Sequence, residues 1–454
     1  MYDPLLLPEL REMLIENDTR GMKEFCEVFY AGVAAENLEA CTNEEIWKVL
    51  SYTDVHRQVE IFEFISLPRQ KELVSQVDHK RLSALLEVMA ADDRADLLES
   101  LDKDQVDSLL PLIAQAERSD IRKLLAYPEH SAGSIMTTEY ASLPEGISVG
   151  EALSQLRTQA PDRETIYYVY VLDDSRRLRG FISLRKLILS KFETPISQLM
   201  ERDVISVRVD EDQEVVAQKM ARYDFIAIPV VDDLDRLVGI ITHDDVLDVL
   251  QEEATEDVHR MGGVGPMDED YLEARFITIW WKRAIWLSCL FLAELFTFTA
   301  LSHYADAIGA VVALSLFLPL CISTGGNSGS QAATLITRAM ALGQLNTRDW
   351  FRVVKHELLM GMALGLTLGL IGFVRTTLTP QSILGSTDRW KLALVIGQSV
   401  AAICLWGTLV GAILPLLFKR IGVDPGIASS PFVATFVDVT GIIIYFSMAQ
   451  MYLL

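Results

Sequence analysis

Apolar residues recur at three- and four-residue steps from about residue 5 to residue 127, as at Leu82, Leu85, Leu86 and Met89. This spacing places them on one face of an α-helix. Short acidic turns, such as 91–93, separate the helical segments. The pattern predicts an all-α domain over residues 1–130, built as a small superhelix of paired helices.

Residues 131–250 contain an internal repeat of about 60 residues. IMTTEYASLPEG, which begins at residue 135, is echoed by LMERDVISVRVD at 199, and LRGFIS at 178 is echoed by LVGIIT at 237. Each copy predicts a short strand, a helix, two apolar strands and a closing helix. The predicted helices lie at 149–157 and 215–221, and the predicted apolar strands lie at 166–172, 180–183, 227–231 and 239–242. The repeat therefore predicts an α/β module that is present twice.

The second closing helix begins near His243 and does not stop at the end of the module. Its sequence, HDDVLDVLQEEATEDVHRM, is strongly acidic, and the glycines and proline of 261–266 follow it. We expect residues 243–274 to connect the tandem modules to the rest of the chain through this helix.

Five apolar stretches follow, within residues 275–454, and each is long enough to cross a bilayer as a helix. They lie at 284–302, 307–337, 358–374, 392–418 and 427–454. If residue 274 is cytoplasmic, eight Lys and Arg residues flank the inner ends of these stretches and three flank the outer ends. The positive-inside rule then predicts a cytoplasmic N-terminus and a C-terminus outside the cell.

Charge divides the chain at the same boundary. Residues 1–274 hold 56 acidic and 28 basic side chains, whereas residues 275–454 hold 7 and 12. The acidic soluble part favours cations and excludes nucleic acid as a partner. The N-terminal sequence lacks the pattern of a cleaved signal, and the five cysteines form no CxxC pair, so we expect neither a disulfide nor a thiolate metal site.

Two features inside the apolar stretches indicate chemistry. Asp438 is the only acidic or basic residue in 427–454, and a charge at that depth costs about 3 kcal/mol even on lenient scales. The segment STGGNSGSQAATL at 323–335 places small and polar residues where a lipid-facing helix would carry leucine. Either it is a close-packing surface between helices, or it lines a watery cavity. The candidate cavity residues are Gly325, Gly326, Asn327, Ser330, Gln331 and Thr334, together with Thr435 and Gly441 beside Asp438.

Two further carboxylates have weaker assignments. Glu294 interrupts the first apolar stretch, and we expect it to have a structural role against a neighbouring helix or at the membrane boundary. Asp424 precedes Pro425 in the short loop before the last stretch. It either attracts cations to a pore mouth or forms an Asp-Pro turn.

Four segments, in the same order along the chain, resemble the MgtE family of magnesium channels and transporters: YPEHSAGSIMT, ATEDVHRMG, STGGNSGSQAATLITRAMALG and VDPGIASSPFVATFVDVTG. The repeat resembles a tandem pair of CBS domains. The resemblance implies a multi-domain membrane protein with an all-α N-terminal domain, a CBS pair, a connecting plug helix and a five-helix transmembrane domain. It also implies a homodimer with its pore on the two-fold axis.

In this resemblance Asp438 corresponds to the pore carboxylate. The resemblance also implies that Mg²⁺ bridges acidic surfaces of the soluble domains and closes the pore. The residues implied are Asp92, Asp93, Glu214, Asp224, Asp245, Asp248, Glu253, Glu256 and Asp257.

Some CBS pairs bind adenine nucleotides through a [ST]-x-x-D pattern. The second module has this pattern at Thr242 to Asp245, but the first module has Lys186 in place of the acid. Arg185 and Lys186 could meet phosphates, yet the departure argues against ATP as a ligand.

These observations predict a channel for magnesium uptake across the inner membrane, passive and closed by cytoplasmic Mg²⁺. Two alternatives stay open: a carrier for Co²⁺, Mn²⁺ or Mg²⁺ coupled to another ion, and a membrane-tethered CBS nucleotide sensor without transport. No enzymatic activity is expected, because the sequence shows no nucleophile-base pair, phosphate loop or catalytic metal cluster.

Overall fold

The computed structural model describes residues 6–102, 105–106, 109, 111, 115–267, 271–272 and 274–453. The chain divides into two compact units, 1–250 and 251–454.

The N-terminal part of the first unit is entirely helical in its described residues. Asp18, Asp54 and Asp78 begin helices by accepting hydrogen bonds from backbone amides of the first turn. The apolar faces that the spacing predicted form one continuous core. The helices are α1 (Leu6–Glu16), α2 (Thr19–Val28), α3 (Ala31–Leu38), α4 (Asn43–Leu50), α5 (Val55–Glu63), α6 (Leu67–Gln76), α7 (His79–Leu86), α8 (Ala91–Ser100) and α9 (Gln115–Leu124).

The repeat folds into two α/β modules of the same topology. In each one a first strand pairs in parallel with a second, which pairs antiparallel with a third. The first module contains β1 (Tyr140–Pro144), α10 (Val149–Gln159), β2 (Thr165–Leu172), β3 (Leu178–Ser183) and α11 (Leu184–Leu189). After α12 (Ile196–Leu199), the second contains β4 (Val207–Arg208), α13 (Gln213–Tyr223), β5 (Ala227–Val231), β6 (Leu237–Thr242) and α14 (His243–Met261).

Helix α8 belongs to the core of the second module as well as to the N-terminal helices. Ala91 and Ala95 are buried with Val216, Val246 and Val249 of that module in one apolar cluster. This packing holds the first turn of α8 against the second module.

The second unit contains five long helices among its described residues. Four of them are long and apolar enough to cross a membrane: α15 (Phe276–His303), α18 (Trp350–Thr377), α20 (Arg389–Arg420) and α21 (Ser430–Tyr452). The fifth, α17 (Ala313–Ala341), has 29 residues and contains the polar segment 323–335. Two short helices, α16 (Ala305–Ala310) and α19 (Gln381–Leu384), complete the unit. The structure confirms the predicted helical domain, the tandem α/β module and a helical unit with long apolar helices.

Helices α17 and α20 cross at very close range. A side chain added at Gly407 would overlap the carbonyl oxygen of Gly325, and one added at Gly411 would overlap that of Gly329. The Ser328 and Thr408 hydroxyl oxygens are 2.5 Å apart at the same crossing. The absence of side chains at the glycines allows the backbones to approach.

Candidate cation-binding sites

A cavity of about 380 Å³ surrounds Asp438 in the second unit. Ala434, Asp438 and Ile442 of α21 line one side of it. They are spaced four residues apart, so they lie on one face of the helix. Among the described residues, no side chain or backbone amide donates a hydrogen bond to the Asp438 carboxylate, which leaves its oxygens available to a ligand in the cavity.

The segment 323–335 contributes to this cavity with one face and to helix packing with another. Ser323, Gly326 and Asn327 line the cavity, and a Cβ built at Gly326 would lie 3.7 Å from Asp438 Oδ1. Gly325 and Gly329 instead face α20. The two interpretations left open by the sequence therefore apply to different sides of the same helix.

The other residues that the sequence suggested for this cavity do not line it. Ser330 donates a hydrogen bond to the Ser430 carbonyl at 3.1 Å, and the Thr334 hydroxyl lies 3.5 Å from that of Ser430. Gly441 is buried against Ile403 and Ile322. Gln331 is exposed and Thr435 is half-buried.

Asp424 forms the turn that was one of its two expected roles. Its carboxylate accepts a hydrogen bond from the Gly426 amide at 2.6 Å, which caps the turn 425–427. The same carboxylate forms an ion pair with Arg260, which also pairs with Glu256 one turn earlier in α14. Arg260 therefore connects the end of α14 to the loop that precedes α21.

A second group of carboxylates gathers in the first unit, where the first turn of α8 meets the CBS modules. Asp92 and Asp93 belong to α8, and they interact electrostatically with Asp245 at the start of α14 and with Glu164 beside β2. Glu63, at the end of α5, joins this acidic cluster through Asp93. The cluster is held in place by the apolar packing of Ala91 and Ala95.

Burial is the main cause of the altered acidity in this cluster. It raises the pKa of Asp93 to about 8, with repulsion from Glu63 and Asp245 adding to the effect. The pKa values of Glu63 and Glu164 rise to about 7, and that of Asp92 rises well above its usual range. Asp92 alone of this cluster is almost fully buried, and carboxylates that repel one another favour a bound proton or metal cation.

Asp245 and Asp92 differ in how their oxygens are occupied. Asp245 Oδ2 accepts hydrogen bonds from the Thr242 hydroxyl at 2.6 Å and from the Thr242 amide at 3.1 Å. Asp92 is only 8% exposed, and one of its carboxylate oxygens is buried without a hydrogen-bond partner. This orphaned oxygen fits a hydrated cation, because Mg²⁺ prefers oxygen ligands and keeps several waters. Within the described ranges no three acidic, His or Cys side chains converge as direct metal ligands.

The other predicted regulatory carboxylates are dispersed. Glu214 and Asp224 lie at opposite ends of α13, about 15 Å apart along the helix, so one ion cannot contact both within one chain. Burial raises the pKa of Asp248 in the first unit and that of Asp257 in the second. Glu253 adds to the effect on Asp257.

A separate cleft of the CBS pair is lined by aromatic as well as acidic side chains. Tyr168, Phe181 and Phe225 line a cavity of about 160 Å³ together with Glu201. Lys186 lies 3.4 Å from the Glu201 carboxylate, whereas no described side chain pairs with Arg185.

Sequence reasoning missed Glu63 and Glu164 as members of the acidic cluster. The repeat offers a signal for Glu164, because it precedes β2 as Asp224 precedes β5. No comparable signal exists for Glu63, whose carboxylate accepts a hydrogen bond from the Ala90 amide, just before α8, at 3.3 Å. Glu294 was expected to be structural, but it lines the cavity of Asp438.

Family models match three parts of the chain. A family model described as a divalent cation transporter matches residues 318–448, one for the MgtE intracellular N domain matches 31–130, and one for the CBS domain matches 132–191 and 196–252. The magnesium transporter MgtE of Thermus thermophilus is 46% identical over 336 residues, which cover 73% of this chain and 72% of that protein. The protein of the same name from Enterococcus faecalis is 36% identical over 335 residues, 73% of this chain and 71% of that protein.

Two solved structures resemble the soluble part. The soluble part of a magnesium transporter superposes with a TM-score of 0.52 at 34% identity and covers 55% of this chain and 98% of its own. The cytosolic domain of the Mg²⁺ channel MgtE, solved in complex with ATP, superposes with a TM-score of 0.52 at 39% identity and covers 54% of this chain and 99% of its own. With identity at this level over most of both sequences, and with every domain matched in order, the chain belongs to the MgtE family of divalent cation transporters.

Proposed function

We propose that this protein is a homodimeric Mg²⁺ channel of the inner membrane, with its soluble domains in the cytoplasm and its C-terminus outside. The observation that carries the proposal is the cavity in which Asp438 lies without a hydrogen-bond donor among the described residues. Two copies of Asp438 facing each other would offer oxygen ligands to a largely hydrated Mg²⁺. Weak, water-mediated binding of this kind lets the ion leave as readily as it enters.

The acidic cluster of α8 and the CBS pair supports feedback by cytoplasmic Mg²⁺. When Mg²⁺ is scarce, repulsion among Asp92, Asp93, Glu164 and Asp245 opposes the packing of α8 on the second module. A bound cation neutralises that repulsion and favours the packed state. We assign this packed state to the closed channel, which makes the protein a valve that limits Mg²⁺ uptake.

Purified full-length protein in liposomes tests the transport proposal. We expect Mg²⁺ influx that follows the membrane potential and needs no Na⁺ or proton gradient. Asp438→Asn should lower the flux by about tenfold or more, because it removes the only charge of α21 from the ion path. Asp306→Asn, which changes an exposed carboxylate of α16, serves as the control. Influx that requires an ion gradient would favour the coupled carrier instead.

We also propose ATP as a ligand of the aromatic cleft, with Tyr168 and Phe225 against the adenine ring and Lys186 or Arg185 near the phosphates. The ATP complex of a related cytosolic domain supports this proposal. The replacement of the acid by Lys186 argues for weak binding. Equilibrium dialysis with labelled ATP should show binding that Phe225→Ala lowers by about tenfold, since base stacking on an aromatic ring contributes about 1–3 kcal/mol.

A further inference from the structure

Glu294 is the only acidic residue of α15, and it lies deep within that helix. It follows the helix start by 18 residues and precedes the helix end by 9, so about 14 Å of helix separates it from the nearer end. The cations Lys282 and Arg283 lie about 17 Å away along the axis. A carboxylate at such a depth is costly unless something in the structure compensates for its charge.

The position of Glu294 on its helix directs it at the cavity of Asp438. Glu294, Thr297 and Leu301 line this cavity, and their spacing of three and four residues defines a single face of α15. On the opposite wall, Asp438 belongs to α21. The cavity therefore has one carboxylate on each of two walls.

The polar groups on this wall lack protein partners. In the part of the chain that the structure describes, Glu294 forms neither a hydrogen bond nor an ion pair. The hydroxyl oxygen of Thr297, one turn later, is buried without a hydrogen-bond partner. A structural role between helices would require such a partner, because buried polar side chains stabilise helix packing through hydrogen bonds. Two partnerless carboxylates at one cavity are stabilised by a bound proton or by a metal cation.

The cavity is large enough for that cation together with its water. Six waters occupy about 180 Å³ at the volume of liquid water, and the cavity measures about 380 Å³. A hydrated Mg²⁺ can thus lie between the two walls, where its water shell donates hydrogen bonds to both carboxylates. Asn327 and Ser323 supply further oxygens on the α17 side.

We propose that Glu294 is a second carboxylate of the ion path, which acts with Asp438 to favour divalent over monovalent cations. This inference rests on the proposed function of Asp438. Each subunit then presents two negative charges to the ion, and a hydrated divalent cation gains twice the attraction of a monovalent one. Glu294 binds the water shell of the ion and sets selectivity.

Planar-bilayer recordings of the full-length protein test the role of Glu294. We expect Glu294→Gln to weaken the apparent Mg²⁺ affinity of the current about threefold to tenfold and to lower the Mg²⁺/Na⁺ permeability ratio by a similar factor. Glu294→Asp should stay within about threefold of the wild type, since it keeps the charge. Glu357→Gln, a matched change in α18 at a carboxylate paired with His356, should change neither quantity.

Three outcomes separate this inference from the proposed function. The role of Glu294 alone would be overturned if Glu294→Gln left the apparent Mg²⁺ affinity and the Mg²⁺/Na⁺ permeability ratio unchanged while Asp438→Asn abolished the current. If neither substitution changed the current, both the role of Glu294 and the role of Asp438 would be overturned. A wild-type protein that passes no current would contradict the proposed function itself.

A cysteine variant gives an independent readout if Glu294→Gln does not fold. Glu294→Cys, in a Cys289→Ser background, should react with water-soluble methanethiosulfonates. The negatively charged ethylsulfonate reagent should restore the Mg²⁺/Na⁺ ratio to within about threefold of wild type, whereas the positively charged ethylammonium reagent should lower the current further. A thiol at 294 that reacts with neither reagent would overturn the proposal.

Discussion

Asp93 shows how one carboxylate that packing partly desolvates can link proton and metal binding. Burial and neighbouring acids raise its pKa to about 8. For a carboxylate whose pKa is higher in the packed state, protonation stabilises that state, and this stabilisation is lost as pH rises from about 4 through the raised pKa. Above this range the ionised carboxylate opposes the packing of α8, and in the proposed feedback a metal cation would offset that loss.

We therefore expect Mg²⁺ binding to the acidic cluster to release protons near neutral pH. The apparent Mg²⁺ affinity should rise between about pH 6 and pH 8.5, since the metal binds the ionised carboxylates. Isothermal titration calorimetry in buffers of different ionisation enthalpy measures the released protons. Asp93→Asn should reduce the release, whereas the exposed Asp174→Asn should not. Equal proton release in wild type and Asp93→Asn would show that Asp93 is not a ligand.

At the level of helices, the α17–α20 crossing depends on the absence of side chains. Gly407 and Gly411 approach the carbonyl groups of Gly325 and Gly329 too closely for a methyl group. The crossing positions the opposite face of α17, which carries Gly326 and Asn327, towards Asp438. One face of α17 therefore packs against α20, and another face lines the cavity of Asp438.

Gly411→Ala should destabilise the second unit by about 1–3 kcal/mol, because the added methyl group forces α17 and α20 apart. The midpoint of thermal unfolding in detergent, followed by size-exclusion chromatography, measures this effect. Gly309→Ala in α16 is the control, since an added Cβ there meets no atom within 4 Å. Equal unfolding midpoints for Gly411→Ala and the control would contradict the role assigned to this crossing.

At the scale of the whole molecule, helix α14 connects the first unit of the chain to the second. It begins at His243 in the first unit, beside Asp245 of the acidic cluster, and ends at Met261 in the second. Arg260, near its end, pairs with Asp424 in the loop before α21, the helix of Asp438. In the proposed feedback, a change in the packing of α8 would be passed on to α21 through this helix and the Arg260–Asp424 ion pair.

Single-channel recording with varied internal Mg²⁺ tests this feedback. We expect open probability to fall as internal Mg²⁺ rises. The double variant Asp93→Asn/Glu164→Gln should need about fivefold more Mg²⁺ for half closure, because it removes two carboxylates that attract the ion; this is a coupling change of about 1 kcal/mol. The single-channel conductance should be unchanged, because Asp93 and Glu164 lie in the first unit and not among the long apolar helices of the second. Asp174→Asn is again the matched control. A wild-type open probability that does not change with internal Mg²⁺ would contradict the feedback mechanism.

The sequence alone determined the helical domain, the tandem module, the apolar spans and the unusual position of Asp438. These features depend on periodicity and polarity along short stretches, which are local properties of the chain. Only the tertiary structure decided that Glu63 and Glu164 join Asp92 and Asp93, that the glycines of 323–335 divide between two faces, and that Glu294 shares a cavity with Asp438. Those associations depend on how helices distant in sequence pack against one another, and no local pattern encodes that geometry.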